Sequence, residues 1–215
     1  MIAGFGWGAL AILFGYLGLF AWGNTVSRKA ANETVWLFNR ATGRNRLAAI
    51  GFCAAFGLAF FGPLIWLVLP RLHKIDPLWT EGQVALLGII GMFIASVGAM
   101  VAFAAQISMG ASWRVGVSGD AIGELVDGGL YQFSRNPTFV GQFMLLAGIA
   151  LAIPAIPTFM ATLLFMWSAK TQVRSEEASL QLALGLEYHR YAASVPRWIG
   201  LRRKSNQKDA QAGHS

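Results

Sequence analysis

The polar chemistry of this chain is concentrated in two stretches, 110–141 and 174–197, set among long apolar runs. Ionisable residues at the ends of apolar runs are costly unless they are paired or functional. In the first stretch, Ser134-Arg135-Asn136-Pro137 joins a cation to a helix start. Asn is among the best N-caps, and Pro is favoured at the first helical position. A helix N-terminus offers unpaired N–H groups and a positive dipole end, so a carboxylate or phosphate can dock beside Arg135. The second stretch opens with Arg174-Ser175-Glu176-Glu177. Adjacent helical residues point about 100° apart, so one of the two glutamates is expected to face inward. Glu177 shares a stripe with Arg174, Leu180, Gln181 and Leu184. It reads either as part of an ion-paired interfacial helix start or as a carboxylate closing a site opposite Arg135. Tyr188 and Tyr191 follow at helical spacing, where each can hydrogen-bond a ligand or anchor the helix at the interface. Within the first stretch, the segment from Glu124 to Tyr131 carries a turn at Asp127-Gly128-Gly129. Glycines there let backbone approach a ligand closely.

These residues need apolar helices to hold them. The chain is 55% hydrophobic and 13% charged, with a mean hydropathy of +0.52. Soluble domains carry about 25% charged residues, so most of this surface is expected to face lipid. A helix needs roughly 20 apolar residues to cross the hydrocarbon core. The expected spans are Ile2 to Gly23, Leu47 to Leu69, Gln83 to about Met109, Pro137 to near Ile153, and near Ala155 to near Val173. The first lacks a basic n-region and exceeds a signal-peptide core, so it is read as a retained span. Pro154 and Pro157 each remove a backbone donor and disfavour the helix before them, which predicts a tight hairpin between the last two spans. The 25 glycines suit closely packed membrane helices. The fold class is therefore all-α: a polytopic transmembrane bundle of about five spans, the last two forming a hairpin, followed by a C-terminal cytoplasmic helix. Residues 1–109 form three spans, 110–198 the candidate catalytic region, and 199–215 a basic tail expected to be disordered.

Charge orients the bundle. Fifteen of the 17 Lys and Arg residues fall in the first loop, the third loop and the C-terminal segment, which five spans place on one side. That side is expected to be cytoplasmic, with the N-terminus outside, in a bacterial inner membrane. Thr34 to Phe38 is expected to lie in the interface or to form a connecting helix. The net charge of +7 does not imply nucleic acid, because the apolar spans confine the cations to loops and ends. The lone Cys53 excludes an intrachain disulfide or cysteine metal cluster and reads as a buried small hydrophobe. No metal site is expected. No strand–GxGxxG–helix unit, Walker lysine or long repeat is present.

The stretches together resemble a known family. Gly129-Leu130-Tyr131-Gln132-Phe133-Ser134-Arg135-Asn136-Pro137-Thr138-Phe139-Val140-Gly141 is similar to G-x-Y-x-x-x-R-(H/N)-P-x-(Y/F)-x-G. Glu176, Glu177, Leu180, Gly185, Tyr188 and Tyr191 are similar to E-E-x-x-L-x-x-x-x-G-x-x-Y-x-x-Y. Met109 to Val117 resembles a G-x-S-(W/F)-R-(I/V)-G segment of prokaryotic members. Both motifs belong to the isoprenylcysteine carboxyl methyltransferase and phospholipid methyltransferase superfamily, and the resemblance covers about Gly110 to Trp198. It implies a helical pocket for S-adenosylmethionine, entered from the cytosol, and a lipid-like acceptor entering from the bilayer. Carried over by residue, Leu125, Val126, Gly129, Tyr131, Asn136, Glu177 and Tyr188 would contact the cofactor, and Arg135 would sit between cofactor and acceptor. The prenylcysteine enzymes have histidine at the position of Asn136, and tyrosine is more usual at Phe139. The cofactor therefore carries over more readily than a prenylcysteine substrate. A carboxylate acceptor needs no general base, and Arg135 can orient it. An amine or thiol must lose a proton, and Glu176 or Glu177 is the candidate base. The alternatives are a reductase related to membrane sterol reductases and a non-catalytic scaffold or transporter.

Overall fold

The computed structural model describes residues 2–32, 35–69, 71, 74–78, 85–115 and 125–201. Among these lie six α-helices: α1 (Ile2–Ala31), α2 (Gly43–Val68), α3 (Ala85–Met109), α4 (Pro137–Ala152), α5 (Ile156–Leu184) and α6 (Leu186–Ser194). The chain is a polytopic helical bundle. Three helices, α1 to α3, are long and apolar enough to cross a membrane on their own. Helix α4 has 16 residues, short of the roughly 20 a span needs, and forms a hairpin with α5. The hairpin turns at Ile153-Pro154-Ala155, as the two prolines predict.

Helices in lipid gain little from burying apolar surface against each other, so close backbone contact must hold them. Helices α3 and α4 achieve it with glycines seven residues apart. An added Cβ at Gly98 would fall on the backbone of Gly141 to Leu145, and one at Gly141 on that of Gly98 to Ala102. Gly91 and Gly148 repeat the relation one layer along. Helix α2 packs on α5, where Gly51 meets Ser168 and Gly62 meets Pro157. Phe52, Phe56 and Phe165 interlock at that contact.

The hairpin turn is secured by Asp76, which is 4% exposed. Its carboxylate accepts from Ile156 N at 2.8 Å, Trp66 Nε1 at 3.0 Å and Leu78 N at 2.9 Å. An acid at the first N–H of α5 also meets the positive end of its dipole. Asp76 thus holds the second loop and the hairpin turn together at one end of the bundle.

Several expectations change. Helix α5 continues without a break past the expected span end near Val173 and runs 29 residues to Leu184, because Arg174 to Leu184 contain no helix breaker. The break comes at Gly185, whose φ of +50° favours glycine. Val35 to Leu37 is not a connecting helix. It runs extended beside Val115, with Val115 N donating to Val35 O at 2.7 Å and Leu37 N to Val115 O at 2.8 Å. Val35 and Leu37 point inward and Trp36 outward, the two-residue alternation of a strand. Cys53 is exposed rather than buried, on the outer face of α2. Gly200, within the tail expected from residue 199, donates its N–H to Phe133 O at 3.1 Å. Residues 202–215, Thr34, Gly116, Val117 and Glu124 lie outside the described residues.

Candidate cofactor and acceptor site

At the opposite end of the bundle from Asp76 lies an open cavity bounded by α1, α2, α3, α4, α5 and α6. Arg135, Glu176, Leu125, Val126, Tyr131, Asn136, Glu177 and Tyr188 all line it. Gly129 does not: it is exposed, and its φ of +58° serves the turn into a short 3-10 helix that carries Tyr131. Both glutamates line the wall, although one was expected inward, together with Gln172, Ser179 and Leu180 of α5.

The charged rim is one network. Arg135 Nη1 lies 3.1 Å from Glu177 Oε1 and donates to Tyr188 OH at 3.1 Å. Arg197 binds the same carboxylate with a fork, Nε to Oε1 at 3.0 Å and Nη2 to Oε2 at 2.5 Å. Such paired charge-assisted bonds fix orientation as well as charge. Arg197 itself is positioned by backbone: Arg135 N donates to Pro196 O at 3.0 Å and Asn136 Nδ2 to Arg197 O at 3.0 Å. The segment after α6 is thereby stapled to the loop before α4. Arg197 was legible in the sequence only as one basic residue among several, since its partner Glu177 is 20 residues away.

Asn136 occupies the N-cap position of α4 with Pro137 after it, yet its side chain makes no capping bond. The side chain is drawn instead to Arg197 O, so the first turn of α4 has no side-chain cap at the cavity. Tyr191, on α6, donates to Tyr131 O at 2.9 Å and so anchors the helix to the loop. Tyr131 OH donates to Ala105 O at 3.3 Å.

Burial sets the ionisation of the wall. Glu176 is pushed up from 4.5 to about 7, chiefly by burial and then by the charge of Glu177. Burial and Glu177 also raise the Tyr188 phenol, and burial raises that of Tyr131. The bonds to Glu177 raise Arg197 further.

Deeper in, the wall becomes aromatic and amide. Phe20, Phe38, Phe52 and Phe139 line it with Gln142 and Gln172. Trp113 is held there by Asn24, which accepts from Trp113 Nε1 at 2.7 Å and from Gln106 Nε2 at 3.0 Å. The aromatic residues looked like ordinary span residues in the sequence. The glutamines were a readable signal, being uncharged polar residues inside apolar runs.

Residues 86–185 match the family model described as phospholipid methyltransferase. That stretch runs from the start of α3 to Gly185 and contains Arg135, Asn136, Glu176 and Glu177. No curated protein matches the chain. Among solved structures, the chain is similar to the eukaryotic intramembrane Ras methyltransferase, isoprenylcysteine carboxyl methyltransferase, solved without a monobody. The two share 20% identity with a TM-score of 0.53, over 89% of this chain and 67% of that one, a likeness of fold. Helical architecture, the family match over residues 86–185 and the two motifs around one cavity agree: this part of the chain is similar to phospholipid methyltransferases, and the chain shares its helical fold with an intramembrane methyltransferase.

Proposed function

We propose that the protein transfers a methyl group from S-adenosylmethionine to an amphiphilic acceptor at the cytoplasmic face of a bacterial inner membrane. The observation that carries this reading is the cavity itself. It joins a charged rim of Arg135, Glu177 and Tyr188 to an aromatic interior at the ends of apolar helices. The cofactor has a carboxylate, an amine, ribose hydroxyls and an apolar ring face, and the residues present fit such a molecule. Arg135 Nε is buried without a hydrogen-bond partner, so a donor is available for a carboxylate. Glu177 can accept from an amine or hydroxyl, and Leu125 and Val126 offer apolar contact. When bound, S-adenosylmethionine supplies an electrophilic methyl group on a sulfonium.

The protein's own residues then have separable tasks. Arg135, Glu177 and Tyr188 orient polar groups at the rim. Burial around Phe20, Phe38 and Phe52 excludes water, which strengthens every polar contact within. Positioning of this kind supplies much of the acceleration in a displacement reaction. Glu176, with its carboxyl raised to about 7, can take the proton that an amine, thiol or hydroxyl loses.

The tail of the acceptor would stay in hydrocarbon, each buried methylene contributing about 0.8 kcal/mol. The test is a methyl-transfer assay on purified protein with head-group analogues of long and short tail. Long tails should lower KM strongly. Equal use of short, water-soluble analogues would defeat the amphiphile reading.

A further inference from the structure

Two side-chain amide atoms of cavity-lining glutamines have no partner. Gln142, on α4, and Gln172, on α5, both line it and are 2% and 4% exposed. Gln142 Nε2 donates to Tyr16 OH at 2.6 Å, which leaves Gln142 Oε1 buried and unpartnered. Gln172 Nε2 is likewise buried with no hydrogen bond. Buried polar atoms are nearly always paired, and each unpaired one costs free energy. Packing does not require an amide at either place, since an apolar residue of similar size would fill the same space. Neither glutamine belongs to the motifs at the rim. Gln172 lies one helical turn before Glu176 on the same face of α5, and Gln142 lies beyond Asn136 along α4, towards the bundle interior.

We propose that Gln142 and Gln172 form the head-group subsite of the methyl acceptor and select a nucleophilic atom that carries both a hydrogen and a lone pair: a hydroxyl or a neutral amine. This rests on the methyltransferase reading above. Gln172 Nε2 is a donor and needs a lone pair. Gln142 Oε1 is an acceptor and needs an N–H or O–H. A hydroxyl or neutral amine satisfies both from one atom. A carboxylate head has only lone pairs to offer, and it would set its charge against Gln142 Oε1 and against Glu176 on the same wall. The neighbouring rings of Phe38, Phe52 and Phe139 offer a carboxylate no compensating donor.

The experiment measures binding of three matched probes, 4-dodecylphenol, 4-dodecylaniline and 4-dodecylbenzoate. The full chain is used in lipid nanodiscs, with and without S-adenosylhomocysteine. The phenol and the aniline should each bind about tenfold or more tightly than the benzoate. Gln142→Leu and Gln172→Leu should each weaken phenol and aniline binding about tenfold while S-adenosylhomocysteine affinity stays within about twofold. Gln172→Met, similar in length and volume, repeats the measurement if a leucine variant does not fold. Benzoate binding as tight as phenol, unchanged phenol binding in the glutamine variants, or no binding of any probe would overturn the assignment. If wild-type protein fails to bind S-adenosylhomocysteine while phenol binding still depends on both glutamines, the methyltransferase reading falls and the head-group subsite stands.

Discussion

Glu177 concentrates more of the site's electrostatics than any neighbour, because two guanidiniums converge on it. Its carboxylate and that of Glu176 are adjacent in sequence but differ in task. Glu177→Gln keeps the shape, loses the charge and leaves Arg135, whose side chain is only 13% exposed, without its counter-ion. Hydrogen bonds to charged groups contribute about 1.5–3 kcal/mol, so S-adenosylhomocysteine affinity should fall roughly tenfold or more. Thermal shift with the ligand reads this directly, since a ligand that binds the folded state raises its melting temperature. Arg190→Ala, at an exposed position of α6, should leave the shift intact. Glu176 predicts a pH dependence instead. Its folded pKa of about 7 exceeds the ordinary 4.5, so the folded state holds a proton that the unfolded state has released across that window. Stability should therefore fall as pH rises from about 4.5 to 7 and level off above, and Glu176→Gln should flatten that slope. Melting temperatures across the range test it. Turnover of a protic acceptor should rise over the same interval, as the carboxylate becomes free to accept a proton.

At the scale of elements, the site depends on how closely α3 and α4 approach. Gly148→Ala would drive a methyl group into the backbone of Gly91 and Ala95. Neither helix backbone can yield locally, so the pair must separate. Overpacking of this kind costs about 1–3 kcal/mol, and the melting temperature in detergent should drop accordingly. Gly15→Ala is the contrasting variant. Nothing lies within 4 Å of its added Cβ, and alanine favours the helix by up to about 1 kcal/mol, so that protein should be no less stable. An equal loss in both variants would mean that helix propensity, not contact, governs these glycines. The hairpin α4–α5 matters for a second reason. It sets Asn136 and Arg135 at the start of one helix beside Glu176 and Glu177 near the end of the next. Asp76 fixes that hairpin from the far end.

Across the whole molecule, polar function is segregated by end. The cavity, the Val35–Leu37 strip and the segment after α6 share one end; Asp76 and the hairpin turn share the other. The distribution of 15 of the 17 basic residues is the ground for the proposal that the cavity end faces the cytoplasm. Reporters inserted beside Lys74 and after Leu201 should therefore report opposite sides, with only the second cytoplasmic. Reports from the same side would break the five-span arrangement. Both residues are exposed or at a chain end of the described structure, so insertion need not disturb packing.

Some of this was legible without coordinates, and the division has a physical cause. Spans follow from composition, because lipid demands long apolar helices whatever they pack against. The hairpin followed from Pro154 and Pro157, whose effects are local. The paired motifs marked Arg135, Asn136, Glu176, Glu177 and Tyr188, and the structure brings all five to one cavity. What only the tertiary structure decided depends on partners distant in sequence. Arg197 joins Glu177 because the segment after α6 folds back on the loop before α4. Asn136 forgoes its expected capping bond, its side chain being oriented by the Nδ2 donation to the Arg197 carbonyl. The strip at Val35 becomes extended because Val115 lies alongside to share its hydrogen bonds. Cys53 faces outward because Gly51, Phe52 and Ala55 take the side of α2 that meets its neighbours. Gln142 and Gln172 acquire their shared setting only when α4 and α5 close on one cavity.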